Sequence, residues 1–240
     1  MKPIRFMWVL LISAFASAQG NGFGSGFSDV QNGYSKLGSF FNVVNSEPIT
    51  APGNPKQLQG SPFFNDNWMK GIITLSDGKS YSGERLKLDL LNTKLYFINQ
   101  NGQEKVIVSP INRIVLLDSA TGRVHTFVHS FALPLHPDLQ DSAWLEVLQQ
   151  GPAQLIKYHK KELVERSSYA AASTEQIKTQ ARYYLLYDGL LHKVNAFRDL
   201  HSILTAHNKE LDEYINKQHP SWKKEEDIIS VIAYYNSIAG

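Results

Sequence analysis

Short alternating or apolar runs, separated by turn-forming residue pairs, recur along the chain between about Gly60 and Val194. The segment L-K-L-D-L, from Leu86 to Leu90, places three leucines on one side and so predicts a half-buried strand. Asp77-Gly78 lies between two strand-like runs and predicts a tight hairpin with both turn residues at positive φ. Such turn signals recur about every ten residues, which favours an antiparallel meander closing into a sandwich or half-barrel.

The same reasoning gives the remaining strands. Further strand pairs are predicted for Ile111–Leu117 with residues 122–128, Trp144–Leu148 with Ala153–Tyr158, and Arg182–Tyr187 with Leu190–Val194. Residues 165–175 (E-R-S-S-Y-A-A-A-S-T-E) are predicted to form an exposed loop. The fold class expected from this pattern is α+β, mainly an antiparallel β meander, with short C-terminal helices.

The period becomes helical after Asn195, and three helices are predicted within residues 195–240. Two short ones are expected at Phe197–His207 and Lys209–Lys217, and a longer one runs to about Ser237. We expect Ser221 to be its N-cap and the acids of residues 225–227 to complement the positive end of its dipole. Its apolar stripe, which should be buried, consists of Ile228, Val231, Ile232 and Tyr235.

The N-terminus has the three parts of a secretory signal peptide. Lys2 and Arg5 are followed by an apolar run from Phe6 to Phe15 and by the small residues of Ala16-Ser17-Ala18. We therefore predict a signal peptide at residues 1–18, a flexible Gly/Asn/Ser/Pro-rich leader at 19–59 and a β-rich domain at 60–240. No later stretch is long and apolar enough for a spanning helix, so no transmembrane span is expected after cleavage.

The charge and the cysteine content of the chain exclude some classes of function. The chain has 24 Lys and Arg against 22 Asp and Glu, and the signal peptide removes two of the basic residues, which leaves 22 of each. Nucleic-acid binding is not expected, because the chain has no clustered basic stripe to face phosphates. The absence of cysteine excludes a disulfide framework and thiol chemistry.

No motif identifies catalytic residues, which stay unknown, and neither a metal site nor a cofactor is expected. His125 and His129 have the spacing of two ligands on a helix, but their neighbours favour a strand, where four residues rise about 13 Å. The chain has no G-x-S-x-G elbow. The many aromatic residues are interpreted as core, with an aromatic platform for sugars or peptides as the alternative.

The motif G-S-P-F-F-N-D-N-W-M-K-G-I-I-T-L-S-D-G-K-S-Y, from Gly60 to Tyr81, is followed by L-K-L-D-L-L-N-T-K-L-Y-F. Together with the ending K-K-E-E-D-I-I-S-V-I-A-Y-Y-N-S, it resembles exported proteins of unknown function common in Bacteroidota. The resemblance covers most of the chain after Gly60. It implies a signal peptide and an envelope or secreted address, and it implies no catalytic residues.

These observations predict an exported protein that is periplasmic, associated with the outer membrane or secreted. Its expected function is that of a non-catalytic binding or scaffold module, whose partner is another envelope protein or a glycan. One alternative is a hydrolase acting on cell-wall or glycan material with a site assembled from distant residues. Another is a subunit of a surface or secretion assembly. The oligomeric state is not predicted.

Overall fold

In the part of the chain that the structure describes, twelve strands form one hydrogen-bonded, unclosed sheet, onto which three α-helices pack. The structure is a computed structural model that describes residues 46–48, 58–140, 142–168, 171–204 and 207–239. The described residues all belong to one unit, Leu37–Gly240. The predicted signal peptide, and the predicted leader apart from Ser46–Pro48 and Leu58–Gln59, lie outside them.

Along the chain the twelve strands come first and the three α-helices follow, as the sequence predicted. The strands are β1 Ser46–Pro48, β2 Leu58–Gln59, β3 Met69–Leu75, β4 Ser80–Asp89, β5 Lys94–Ile98, β6 Glu104–Ile107, β7 Ile111–Leu117, β8 Val124–His129, β9 Trp144–Gln149, β10 Gln154–Ser168, β11 Ala171–Tyr187 and β12 Leu190–Val194. The helices are α1 Phe197–Ile203, α2 Asn208–Gln218 and α3 Glu225–Ile238. The predicted α+β class, with an antiparallel meander and short C-terminal helices, is confirmed.

The strand order across the sheet is β1-β6-β5-β4-β3-β7-β8-β9-β10-β11-β12, and β2 pairs in parallel with β11. Neighbours along this path are antiparallel. β1 and β2 both precede Gly60, so the sheet contains residues on each side of the boundary predicted there.

Two predictions about the strands and their turns were wrong. The described residues between 165 and 175 are strand and not loop: β10 and β11 continue their pairing through Arg166 and Thr174 to Ser168 and Ala171. At Asp77-Gly78 only Gly78 has positive φ, of 83°. The turn spans four residues, and the Gly78 N–H donates to the Leu75 carbonyl, 3.0 Å. Asp188-Gly189 is the two-residue hairpin with both φ angles positive.

The two faces of the sheet at β9–β11 are covered differently. The helix face, on which α1–α3 pack, carries Leu155 and Leu185 against the buried stripe of α3. The loop face carries Ile156 and Tyr184 beneath residues 130–143, which connect β8 to β9. A separate core fills the helix-face side of β3–β8. The helix face of the sheet therefore carries two hydrophobic clusters, one on β3–β8 and one beneath the helices.

Helix α3 has the buried stripe that its sequence predicts, since Ile228, Val231, Ile232 and Tyr235 are all buried. Its first turn holds the three predicted acids. The N-cap prediction was wrong: the helix begins at Glu225, after Lys224, and Ser221 lies in the preceding turn. The Ser221 N–H instead donates to the Asp227 carboxylate, 2.8 Å, so this acid reaches back to the preceding turn.

Gly71 is required by close packing in the centre of the sheet. A Cβ at this position would lie 2.4 Å from the carbonyl oxygen of Val115 on β7. A backbone atom cannot move aside as a side chain can. We therefore expect Gly71→Ala to lower the free energy of unfolding by about 2–3 kcal/mol.

Urea unfolding followed by circular dichroism measures that loss. Gly78→Ala is the control, because a Cβ there meets nothing within 4 Å. Its cost should be about 1 kcal/mol, from the left-handed backbone alone. Equal stability of the Gly71→Ala and wild-type proteins would contradict the assigned pairing of β3 with β7.

Candidate binding site

A buried carboxylate lies between two histidines on the helix face. Strand register places His125 on β8, Glu146 on β9 and His159 on β10 on the same side of the sheet. His125 Nδ1 is 2.6 Å from Glu146 Oε1, and His159 Nε2 is 2.6 Å from Glu146 Oε2. Both carboxylate oxygens therefore have an imidazole partner.

The histidines keep Glu146 ionised. Burial alone would raise the pKa of this carboxyl, but the hydrogen bonds from His125 and His159 outweigh it. The pKa of Glu146 consequently falls from 4.5 to about 2. A carboxylate held in this state serves as a fixed buried charge and is poorly suited to accept or release protons near neutral pH.

Phe64 covers the cluster. Its ring centroid lies 4.8 Å from that of His125, 5.6 Å from that of His159 and 4.8 Å from that of Phe127. The surrounding segment is anchored by Lys161, whose ammonium donates to the carbonyls of Ser61 and Phe63, each at 2.7 Å. The Phe64 ring thus packs against both imidazoles, and the Glu146 side chain between them is only 7 % exposed.

A second polar group connects α3 to the sheet. The Lys157 ammonium and the Tyr183 hydroxyl both donate to Oε2 of Glu225, the tyrosine at 2.9 Å. Burial and the hydrogen bond to Glu225 raise the pKa of Tyr183 well above its usual range. Glu225 therefore fixes the start of the helix against β10 and β11, in addition to complementing the helix dipole as predicted.

A serine and a histidine also meet, at the end of β8. Ser142 Oγ lies 3.3 Å from His129 Nε2. The other ring nitrogen, Nδ1, is directed at the Phe131 N–H at 3.4 Å, so it accepts and the proton is on Nε2. A histidine base needs the opposite tautomer, with Nδ1–H held by a carboxylate. This pair therefore lacks the geometry of an activated serine.

The two histidines four residues apart, His125 and His129, do not form a shared site. His125 and His129 lie on a strand, as predicted, and bind different partners, Glu146 and Ser142. Within the described residues there is no group of three or more His, Asp or Glu side chains arranged to hold a metal ion. His159 had no sequence signal, because its meeting with Glu146 depends on the register of β9 with β10.

Most of the aromatic residues contribute to the core or to the surface of the helices. Trp144, Tyr158 and Tyr184 are buried. Phe64 and Tyr81 pack against the β3–β8 core, and Tyr187 packs beneath α3. Trp222 is an exception of interest, since it packs edge-on to Tyr183 and also lines a surface cavity.

That cavity lies where β12 leaves the sheet. β12 pairs with Tyr183–Tyr187 of β11, and β2 pairs with Glu175 and Gln176. Between them, residues Lys178–Arg182 have a described strand partner on one side only, which is β10. The adjoining cavity has a volume of about 270 Å³ and is lined by Gln180, Arg182, Tyr183, Lys193, Asn195 and Trp222 among others. We call this edge and its cavity the β11 notch.

None of the helices in the described part of the chain has the length and apolar character needed to cross a bilayer. No protein-family model, no curated protein and no solved structure matches the chain. The resemblance to exported Bacteroidota proteins therefore stays a prediction that rests on the sequence motifs.

Proposed function

We propose that the mature protein is a non-catalytic binding or scaffold module of the cell envelope whose ligand docks at the β11 notch. The observation that carries the proposal is the edge segment Lys178–Arg182, which no described strand pairs on its outer side and which adjoins a cavity with polar and aromatic lining. Unpaired strand edges are sites at which another chain can add.

The state of the buried ionisable groups favours binding over catalysis. Glu146 has both oxygens bound to imidazoles, and Glu225 is held by a lysine and a tyrosine. A general acid or base must instead reach the substrate with a pKa near the working pH. The Glu146 and Glu225 clusters therefore stabilise the fold, and the β11 notch provides the accessible surface for a ligand.

A hydrolase acting on cell-wall or glycan material is the second candidate. Ser142 is the serine to test, because its Oγ lies 3.3 Å from His129 Nε2, although the histidine tautomer is not that of a general base. Purified mature protein should release nothing from peptidoglycan, glycan or ester substrates. Turnover that disappears in a folded Ser142→Ala variant would establish the hydrolase and overturn the binding proposal.

Binding is tested with envelope extracts and immobilised mature protein. We expect specific capture by the wild type that is lost in Arg182→Glu, at the notch, and retained in Arg113→Glu, on the exposed side of β7. Equal capture by both variants would place the ligand elsewhere on the molecule.

Export is part of the same proposal, and the cleavage site makes it testable. Ala16 and Ala18 are the small residues behind the apolar run, so the mature chain should begin at Gln19. Mass spectrometry of the protein recovered from the envelope or medium measures its N-terminus. An intact Met1 in that fraction would contradict cleavage and turn the segment into an anchor.

A further inference from the structure

The edge segment Lys178–Arg182 has the exposure and length to accept an added strand. On its inner side it pairs in register with Glu162 through Tyr158 of β10. On its outer side, Gly60 contacts Ile177 before the segment, and Val194 pairs with Tyr183 after it. Lys178–Ala181 are exposed. Five residues in a strand span about 16 Å, enough for a short extended peptide.

The backbone of such an edge supplies a repeating set of hydrogen-bonding groups. Alternate residues of an antiparallel strand direct their N–H and C=O to the same side, so about half of these residues present both groups outward. The same edge of β11 already has strand partners on both sides of the gap: β2 pairs with it in parallel, and β12 pairs with it in the antiparallel direction. The local geometry therefore accommodates a strand at both flanks of the gap.

Charge indicates what kind of strand fits. Lys178 and Arg182 lie on the loop face, together with Lys160 of β10 and Lys193 of β12. Among the described residues, the acids nearest these four cations are Glu162, which forms an ion pair with Lys160 and lies opposite Lys178 in the register, and Asp138, whose Oδ2 lies 2.5 Å from Lys193 Nζ. The four cations therefore outnumber these two acids by two. Lys178 and Arg182 are four residues apart on one strand, so a partner with acids at every second position would meet both.

The cavity adds donors at the Arg182 end of the gap. Arg182 donates to Gln180 Oε1 at 3.1 Å and to the Asp138 carbonyl at 3.4 Å, which holds its guanidinium at the cavity wall. Asn195 and Lys193 line the same space. An acidic side chain or a terminal carboxylate that entered there would meet these donors.

We propose that the β11 notch binds an extended acidic peptide segment of a partner protein, which adds as a strand along Lys178–Arg182. This inference rests on the proposed binding function and names its ligand class. The strand edge provides main-chain hydrogen bonds, and the basic loop face selects acids at alternating positions.

The test uses the full mature chain and a fluorescein-labelled pentapeptide of alternating Glu and Val, which matches the five-residue gap. Fluorescence anisotropy should show saturable binding, and a Lys-Val peptide of the same length should bind at least about tenfold more weakly. The variant Lys178→Glu/Arg182→Glu should weaken binding of the acidic peptide about tenfold or more. The control Lys209→Glu/Lys217→Glu makes the same charge change on exposed positions of α2 and should leave binding unchanged.

N-methylation distinguishes strand addition from simple charge attraction. Two acidic peptides are N-methylated at alternate residues, one at the odd and one at the even positions. An added strand presents only one of these sets of N–H groups to β11, so one isomer should lose binding and the other should retain it. Equal binding of the two isomers would overturn strand addition, as would binding that survives the Lys178→Glu/Arg182→Glu change.

Three further outcomes are decisive. A dimer in light scattering that dissociates in the Lys178→Glu/Arg182→Glu variant would identify the occupant as a second copy of the chain and overturn the peptide proposal. If no acidic peptide binds while envelope capture persists in that variant, this inference fails and the binding function stands at another surface. Turnover that requires Ser142 would instead remove the binding function itself.

Discussion

Deleting residues 221–240 is expected to leave a chain that does not reach the native fold. The deletion removes α3, whose Ile228, Val231, Ile232 and Tyr235 are each at most 1 % exposed. Burial of each such side chain contributes about 1.5–3 kcal/mol. The sum is comparable to the whole stability of a domain, about 5–15 kcal/mol. Circular dichroism and size-exclusion chromatography should show unfolded or aggregated protein.

Point variants of α3 test the contribution of its packing without shortening the chain. Tyr235→Ala removes a buried ring beneath the helix and should cost about 3–5 kcal/mol. Ser230→Ala, on the exposed side, is the matched control and should cost less than about 1 kcal/mol. A truncated protein with the melting temperature of the wild type would show that α3 is dispensable for the fold and would contradict the core described here.

Replacing Glu146 by Gln should cause the second largest loss. The folded-state pKa of Glu146, about 2, lies below its ordinary value of 4.5, so the folded protein favours the ionised form. This difference corresponds to roughly 3 kcal/mol of stability, which is fully present above about pH 4.5. Glutamine has no charge to hold between two imidazoles and presents an N–H₂ to one of them. We therefore expect a loss of roughly 3 kcal/mol at pH 6–7.

The pH dependence of stability distinguishes the Glu146→Gln variant from the wild type. In the wild type, the stabilisation by Glu146 is lost as the pH falls from 4.5 towards 2, because the carboxyl becomes protonated. Urea unfolding at pH 6 and pH 3 should show a smaller decrease in Glu146→Gln than in the wild type. Glu162→Gln, at an exposed ion pair with Lys160, is the control and should change stability by less than about 1 kcal/mol. Parallel acid dependence of Glu146→Gln and wild type would contradict the ionised state of Glu146.

The sequence predicted the fold class because its signals are local. Asp188-Gly189 marks a hairpin by the backbone angles that the two residues adopt, and Leu86–Leu90 marks a strand by alternation. The β10–β11 pairing was missed near Glu165 and Glu175, because the residues there are mostly polar or small and lack the apolar alternation that identifies a strand. Ser221 was misassigned as the N-cap, because a capping residue type also suits the turn before a helix.

The buried cluster could not be predicted from the sequence. His125, Glu146 and His159 lie on three successive strands, and they meet only because β8, β9 and β10 pair in one particular register. Shifting the pairing by one residue would place Glu146 on the opposite face. The β11 notch has the same origin, since it depends on where β12 and β2 stop along β11. Such features need the tertiary arrangement, which no motif spacing in this chain encodes.

Asn236 of α3 has a consequence for how the chain acquires its structure. Its side-chain oxygen accepts from the Ala153 N–H at 2.8 Å, and its amide donates to the carbonyls of Gln150 and Ala153, across 83 to 86 positions of sequence. A polypeptide emerges from the ribosome, or from a channel, with its N-terminus first. The polar groups of the β9–β10 turn must therefore wait until Asn236, more than 80 residues later, has emerged before they are satisfied, and contacts of such long range slow folding. The β3–β8 part of the sheet can form early, whereas the helix-covered half stays open until α3 has emerged.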